Sequence, residues 1–321
     1  MKLLLVNPKS GRSGFTLNSS SLFPPLGLGI VQALTPPNWE VELIDENFAP
    51  FKYRDADLVA FTAFTATAPR AYEIAAEYKK RKISTVIGGA HASVCPEEAL
   101  EYCDAVVIGE AESAWDMVIS AFSRDQLNGV YAGKPDKIAT PNRSLFNKGY
   151  ERKTVQTTRG CPLDCDYCSV SMVNGKRYRS RSTEDVLADL TDLTQHFFIV
   201  DDNFVGYGSN RRKKVVEILE YLINMGNSKL WFCQTSINVA QDDELLELLF
   251  AAGCRMLFIG VETEDGTSLI NNNSKRSISC AESMESIHKH GMSVLGAFIV
   301  GLEDDTHDHV RNRWSQYTNM G

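Results

Sequence analysis

The sequence predicts an α/β protein in two halves: an N-terminal doubly wound parallel sheet followed by a partial β/α barrel. Three observations carry this. Through the first 120 residues, short apolar runs ending in polar or glycine turns alternate with helix-period segments. The alternation lapses over residues 121–152, which are richer in Gly, Pro, Asn and Lys, and a second alternation begins at 153. At 321 residues the chain is long enough for two domains of ordinary size.

In the first half (1–120) the strand candidates are Lys2–Asn7, Val41–Asp45, Asp57–Thr62, Ile83–Gly88 and Asp104–Ile108. The clearest helix between them is Ala68–Arg81, with Ala, Glu, Tyr and Lys at good helix spacing. Ligands of such sheets sit beyond the carboxyl ends of the strands. Here those ends carry Asn7, Asp45, Thr62, Gly88, Gly89, Gly109 and Glu110. Residues 121–152 read as a linker or wrapping segment.

In the second half (153–321) the strand candidates are Thr154–Thr158, Phe197–Val200, Leu230–Gln234, Met256–Val261 and Ser293–Val300. Helices are predicted near 183–194, 211–225, 242–252, 279–290 and 306–318. The third has Asp242, Asp243 and Glu244 in its first turn and Gly253 just after it, which are start and stop signals. In a β/α barrel the active-site groups come from the carboxyl ends of strands.

Composition narrows the function classes. The chain is 43% hydrophobic and 23% charged, as a globular protein is. A net charge of −8 argues against general nucleic-acid binding. The apolar run Met1–Val6 stops at Asn7-Pro8, too short for a signal peptide. No apolar stretch reaches the ~18 residues of a membrane helix, so a cytoplasmic protein is expected. Eight cysteines are too sparse for a disulfide scaffold, and their clustering points to metal binding in a reducing compartment.

Three of those cysteines share the segment Gly160-Cys161-Pro162-Leu163-Asp164-Cys165-Asp166-Tyr167-Cys168, a Cys-x3-Cys-x2-Cys spacing with no fourth cysteine close behind. Iron–sulfur clusters are held by thiolates, normally four. Three would leave one iron of a [4Fe–4S] cluster open, and an open position is what a metal needs to activate a small molecule. The alternatives are a zinc knuckle, which lacks a suitable fourth ligand nearby, or three unrelated thiols.

The cysteine segment, led by Thr157-Thr158-Arg159-Gly160, resembles the radical S-adenosylmethionine (SAM) enzymes. The order Asp201-Asp202-Asn203, Gly260-Val261-Glu262 and Gly296 to Gly301-Leu302-Glu303 agrees with their core. The first half is similar to the cobalamin-binding domain that precedes this core in class B members. The matching pieces are Pro24–Leu28, Val41–Glu46, Ile87-Gly88-Gly89-Ala90-His91 and Val107–Glu112. The whole resembles most the branch holding the hopanoid methylases, with the anaerobic magnesium-protoporphyrin cyclase a more distant look-alike. Two departures stand out. The Asp-x-His-x-x-Gly motif of many cobalamin proteins is absent, the first loop reading Asn7-Pro8-Lys9-Ser10-Gly11-Arg12. The chain also ends at Gly321, where the resembling enzymes continue with a sixth barrel strand and usually a further domain.

The resemblance implies a Rossmann-like cobalamin-binding sheet ahead of a radical SAM barrel. It implies a [4Fe–4S] cluster on Cys161, Cys165 and Cys168, with SAM on its open iron. SAM contacts are then expected from Tyr167, Asp201, Asp202, Asn203, Gln234, Glu262, Gly296 and Gly301. Cobalamin contacts are expected from Leu26, Gly27, Thr62, Thr65, Gly88, Gly89, Gly109 and Glu110.

Blander readings stand beside these. Asp201–Asn203 suit a turn and helix cap, Glu262 a structural ion pair, and Gly88-Gly89 a plain strand-to-helix turn. Arg177, Arg179 and Arg181 alternate on one side of an extended segment, toward an anion or toward solvent. His91 reads as a capping or core histidine, since its loop is wrong for a cobalt ligand, and the remaining cysteines as small buried residues.

The expected activity is methyl transfer to an unactivated carbon of a small or lipid-like molecule. A 5′-deoxyadenosyl radical would activate the substrate, and a flavodoxin or ferredoxin would supply the electron. The rivals are a cobalamin-dependent cyclisation or rearrangement, and a non-catalytic cluster- or corrinoid-binding protein. An uncovered fifth barrel strand further leads one to expect a longer parent chain or a partner covering that edge.

Overall fold

The apolar run Lys2–Asn7 forms β1, and its alternation sorts its side chains to two sides. Leu4 and Val6 enter one hydrophobic cluster, Leu3 and Leu5 another. This computed structural model describes residues 1–9, 23–134, 137–163, 165, 167–191, 193, 196–226, 229–262, 279–301, 305–308 and 310–311. Two units are distinguished, Met1–Thr154 and Val155–Gly321.

In the first unit β1 is followed by α1 (Leu26–Leu34), β2 (Glu40–Asp45), β3 (Leu58–Thr62), α2 (Ala68–Lys79) and β4 (Ser84–Gly88). Then come α3 (Ala90–Val94), α4 (Pro96–Tyr102), β5 (Ala105–Gly109), α5 (Ala111–Ser123) and β6 (Gly129–Gly133). The strands form one parallel sheet in the order β2-β1-β3-β4-β5-β6. Leu28 of α1 and Trp115 of α5 cover one face, while Ile74 of α2 and Ala99 of α4 cover the other. Both faces are therefore buried, as parallel sheets require. β6 falls inside the stretch read as a linker. Its five residues Gly-Val-Tyr-Ala-Gly are too short and glycine-rich to register as a strand, yet they pair along the whole of β5.

β7 (Lys153–Val155) straddles the boundary, and in the second unit β8 (Thr158–Arg159) leads into α6 (Val170–Val173), β9 (Arg179–Ser180), α7 (Thr183–Thr191) and β10 (Phe197–Ile199). After these come α8 (Ser209–Asn224), β11 (Trp231–Thr235), a 3-10 turn (Ile237–Gln241) and α9 (Asp243–Ala251). β12 (Cys254–Glu262), α10 (Cys280–Lys289) and β13 (Ser293–Phe298) complete the elements. The sheet order is β13-β12-β11-β10-β7, each strand beside its predecessor in this set. Consecutive order with parallel pairing is the arrangement of a β/α barrel wall. One continuous core, with Phe197, Trp231, Leu246, Leu257 and Ile287 at its centre, backs this wall.

The single strand predicted over Thr154–Thr158 is in fact two. Val155 stays in the five-stranded sheet, but the Thr157 and Thr158 N–H groups bond the Asp201 carboxylate, and β8 pairs antiparallel with β9 instead. The helix predicted at 306–318 lies mostly outside the described residues. No helix among the described residues is long and apolar enough to cross a membrane.

Candidate active site

The three-cysteine loop leaves β8 through Gly160, whose φ of +87° is a left-handed conformation. A Cβ there would stand 2.3 Å from the Arg177 carbonyl oxygen and 2.9 Å from that of Gly175, so only glycine fits. The Cys161 N–H donates to the Gly175 carbonyl at 3.2 Å, and the Cys168 N–H to that of Cys165 at 3.0 Å. Cys161, Cys165 and Cys168 are each half-buried, and their thiols lie close enough to act on one another electrostatically.

Burial is the first cause that pushes the Cys161 and Cys165 thiols up. Hydrogen bonds from Leu163 and Asn203 oppose this at Cys161, and one from Tyr167 opposes it at Cys165, while the charges of Asp202 and Cys168 add to it at Cys161 and those of Cys168, Cys161 and Glu262 at Cys165. Three soft sulfur donors that repel one another as thiolates are relieved by a multivalent cation between them. The donor set thus fits an iron–sulfur cluster with one iron left to a non-protein ligand.

Behind the loop, consecutive carboxylates reach different groups. Asp201 is wholly buried: Oδ1 accepts from the Thr157 N–H at 2.6 Å and the Thr158 N–H at 3.0 Å. Its Oδ2 accepts from the hydroxyls of Thr157 and Thr158 and pairs with Arg211 at 3.2 Å. Burial pulls the Arg211 guanidinium down, and the Asp201 charge opposes that. Asp201 is therefore saturated by its own chain, and the contact expected from it toward SAM is not what its carboxylate makes here.

Asp202 accepts from the Gly160 N–H at 3.1 Å and from Asn174 Nδ2 at 3.1 Å. It joins the entrance of the cysteine loop to its exit. Asn203 donates from Nδ2 to the Ser236 hydroxyl at 2.6 Å, and its Oδ1 accepts from the Gly206 N–H at 3.1 Å. Its side chain also reaches the Cys161 thiol.

Gln234 donates to the Asp202 carbonyl at 3.3 Å. Asn238, in the turn after β11, has an enclosed Oδ1 with no partner among the described residues. Glu262 closes β12 at φ +65°, a conformation uncommon outside glycine, and faces the phenol of half-exposed Tyr167. Burial first, then the Glu262 carboxylate, holds that phenol above its usual value. Gly296 packs under Phe298, 3.1 Å from where its Cβ would be, whereas a Cβ on Gly301 (φ +97°) would meet nothing within 4 Å among the described residues.

The three arginines read as one alternating face separate. Arg181 is buried against Asp189 at 2.8 Å, Arg179 donates to the Asn174 carbonyl at 3.0 Å, and Arg177 is exposed. Neither a shared anion site nor a solvated face describes them.

At the carboxyl edge of the first sheet, Gly27 is exposed and a Cβ on it meets nothing within 4 Å among the described residues. Phe64 is 68% exposed in the β3–α2 loop and Val94 54% exposed at the end of α3, a wide apolar offering. Leu26 and Thr62 are half-buried and Thr65 is exposed there. Such an edge, with open glycine and bare apolar groups, fits a flat ligand.

Two glycines expected to admit that ligand are occupied otherwise. A Cβ on Gly89 (φ +103°) would meet the Ala63 carbonyl oxygen at 2.8 Å, and one on Gly109 (φ +72°) that of Gly133 at 2.7 Å. They serve the chain's own crossings. Gly88 is in ordinary contact with Val107, and Glu110 is buried ahead of α5.

His91 is buried, with Nε2 at 3.0 Å from the Tyr72 hydroxyl and 3.3 Å from Glu98, and Nδ1 at 3.4 Å from Thr65. This is a core histidine. Cys95 and Glu98 lie within ligand reach of it. Cys103 is fully buried, and burial pushes its thiol to about 12. Phe64, Asn174, Gly206 and Arg211 had no distinguishing signal in the sequence; Phe64 is recognised by its exposure and the other three by their partners across the fold.

Comparison with known proteins places both halves. The Radical SAM superfamily description matches residues 155–312, and the B12 binding domain description matches residues 13–119. Bacteriochlorophyllide d C-12(1)-methyltransferase of Chlorobaculum tepidum is 31% identical over 327 residues, covering 95% of this chain and 70% of that protein. The hopanoid C-2 methylase of Rhodopseudomonas palustris is 25% identical over 340 residues, covering 95% and 63%. Among solved structures, TsrM of Kitasatospora setae, a radical SAM methyltransferase with cobalamin and a [4Fe–4S] cluster bound, superposes with a TM-score of 0.78. The alignment spans 99% of this chain and 73% of that one at 16% identity, a likeness of fold.

Proposed function

Starting from a chain that belongs to the B12-binding branch of the radical SAM superfamily, we propose how its own residues serve methyl transfer to a carbon centre. The enzyme is a cobalamin-dependent radical SAM methyltransferase that uses a [4Fe–4S] cluster and SAM. When bound, the cluster and SAM supply one-electron cleavage chemistry and cobalamin supplies a methyl carrier.

In this proposal Cys161, Cys165 and Cys168 hold three irons and leave the fourth to SAM. The observation that carries it is the turn itself: three half-buried thiols, pinned at entrance and exit by Asp202. Asp201 is a positioning residue, fixing Thr157 and Thr158 at the base of the loop from behind. Tyr167, Asn203, Gln234, Asn238 and Glu262 form the polar wall toward SAM. Asn238 Oδ1, without a partner among the described residues, and the left-handed Glu262 support this, since such features persist where a ligand uses them. Asp202 acts on SAM through the loop. Gly296 and Gly301 border the adenine, Gly301 by leaving space. In the first unit, Leu26, Gly27, Thr62, Thr65 and Gly88, joined by Phe64 and Val94, line the corrin side. Gly89, Gly109 and Glu110 shape that edge.

Relatives named for a bacteriochlorophyllide and a hopanoid support a large, mainly apolar small molecule as substrate. The electron donor is of flavodoxin or ferredoxin type in this reading. The test is product analysis after anaerobic reconstitution with iron, sulfide, hydroxocobalamin and SAM under a low-potential reductant. Formation of 5′-deoxyadenosine together with S-adenosylhomocysteine and a methylated product supports radical methyl transfer. 5′-Deoxyadenosine with no S-adenosylhomocysteine supports rearrangement and rejects the methyltransferase assignment.

A further inference from the structure

The β8–β9 ladder pairs Thr158 with Ser180 and Arg159 with Arg179. Continued by one step, this register sets Tyr178 opposite Gly160, beside Cys161. The Tyr178 ring lies over Gly206, where a Cβ would come within 2.9 Å of both its Cζ and its hydroxyl oxygen. That glycine, at φ +67°, makes the room. The hydroxyl oxygen is fully enclosed; it completes no hydrogen bond among the described residues but faces the Cys161 thiol as a hydrogen-bonding neighbour. Enclosed hydroxyls ordinarily complete one. A tyrosine phenol ordinarily titrates near pH ~10, so at neutral pH it carries its proton and can donate it.

We infer that the Tyr178 hydroxyl donates a hydrogen bond to the Cys161 sulfur in the cluster-bound enzyme and raises the reduction potential of the cluster. The inference rests on Cys161 being an iron ligand. Adding an electron puts more negative charge on the ligand sulfurs, so a fixed donor stabilises the reduced form more than the oxidised one. Hydrogen bonds to cluster sulfurs are one of the levers by which a protein sets this potential. Tyr178 is a positioning and tuning residue here, acting through Cys161.

The test is a potentiometric titration followed by electron paramagnetic resonance on reconstituted wild type and Tyr178→Phe, with iron counted in both. Phenylalanine keeps the ring over Gly206 and removes only the donor. Unchanged iron with reduction about tenfold less favourable, about 59 mV lower for a one-electron couple, is the expected result. An unchanged midpoint with iron retained overturns the inference. Incorporation of 3-fluorotyrosine at position 178 strengthens the donor and is expected to move the midpoint up. No movement there overturns the inference even where the phenylalanine variant fails to load. Wild type that binds no cluster instead sinks the assignment of the cysteines, and the inference with it.

Discussion

The Asp202 carboxylate accepts from the Gly160 N–H and from Asn174 Nδ2, both at 3.1 Å, so one side chain at the end of a barrel strand clasps both ends of the cysteine loop. Asp201 beside it turns the other way and anchors Thr157 and Thr158. A pair of adjacent acids thus holds the loop from two directions.

Asp202 carries a pH signature. Burial raises its carboxyl above the usual range, the bonds from Asn174 and Gly160 oppose this, Asp201 adds to it and Arg159 subtracts. A group whose pKa is raised by folding costs stability as pH rises through and above its ordinary value, about 4 for a carboxylate. Asp202→Asn keeps the acceptor and removes the charge. Iron-free Asp202→Asn is expected to melt above wild type at pH 7, with the gap closing as pH falls toward about 4. A gap that widens on acidification contradicts this.

Arg211 and Asp201 are a buried pair, their side chains 4% and 0% exposed. Arg211→Met leaves the carboxylate with its hydrogen bonds but no countercharge. Removing one partner of such a pair costs about 3–5 kcal/mol. Denaturant unfolding of the variant is expected to show that loss, and adding Asp201→Asn to recover part of it. A loss below about 1 kcal/mol, as at an exposed pair, counts against the argument.

Gly27 and Gly89 separate ligand space from chain space. Gly89→Ala puts a Cβ in a left-handed conformation 2.8 Å from the Ala63 carbonyl oxygen, and should cost about 1–3 kcal/mol whether or not cobalamin is present. Gly27→Phe meets none of the described chain in its first atom, so it should fold normally and bind hydroxocobalamin at least about tenfold more weakly, about 1.4 kcal/mol. Equal affinity in titration of Gly27→Phe removes Gly27 from the corrin side.

Glu262→Ala tests the SAM wall. The loss of a hydrogen bond to a charged group is worth about 1.5–3 kcal/mol, so SAM affinity should fall at least about tenfold. Iron content should not change, because Glu262 touches Tyr167 and no ligand cysteine by hydrogen bond. Iron loss in this variant assigns Glu262 to the cluster loop instead.

The parallel strands were legible because each is a short apolar run with a polar or glycine stop, as in Lys2–Asn7 and Leu58–Thr62. β6 was not, because Gly129 and Gly133 frame only three other residues and the strand exists through its pairing with β5. The break between Val155 and Thr158 was hidden for a related reason: Asp201, more than forty positions on, takes N–H groups that a longer strand would use. The cysteine spacing exposed the candidate site at once. The roles of its glycines stayed ambiguous, since a glycine admitting a ligand and one admitting another backbone look alike in sequence. Gly27 and Gly89 differ only in what surrounds them.

The central claim is that Cys161, Cys165 and Cys168 together hold one cluster with an open iron. Iron counting with electron paramagnetic resonance on anaerobically reconstituted wild type and the triple Cys→Ala variant tests it most directly. The account predicts about four irons and a [4Fe–4S] signal that changes on adding SAM in wild type, and neither in the variant. A triple variant that still holds about four irons would contradict it.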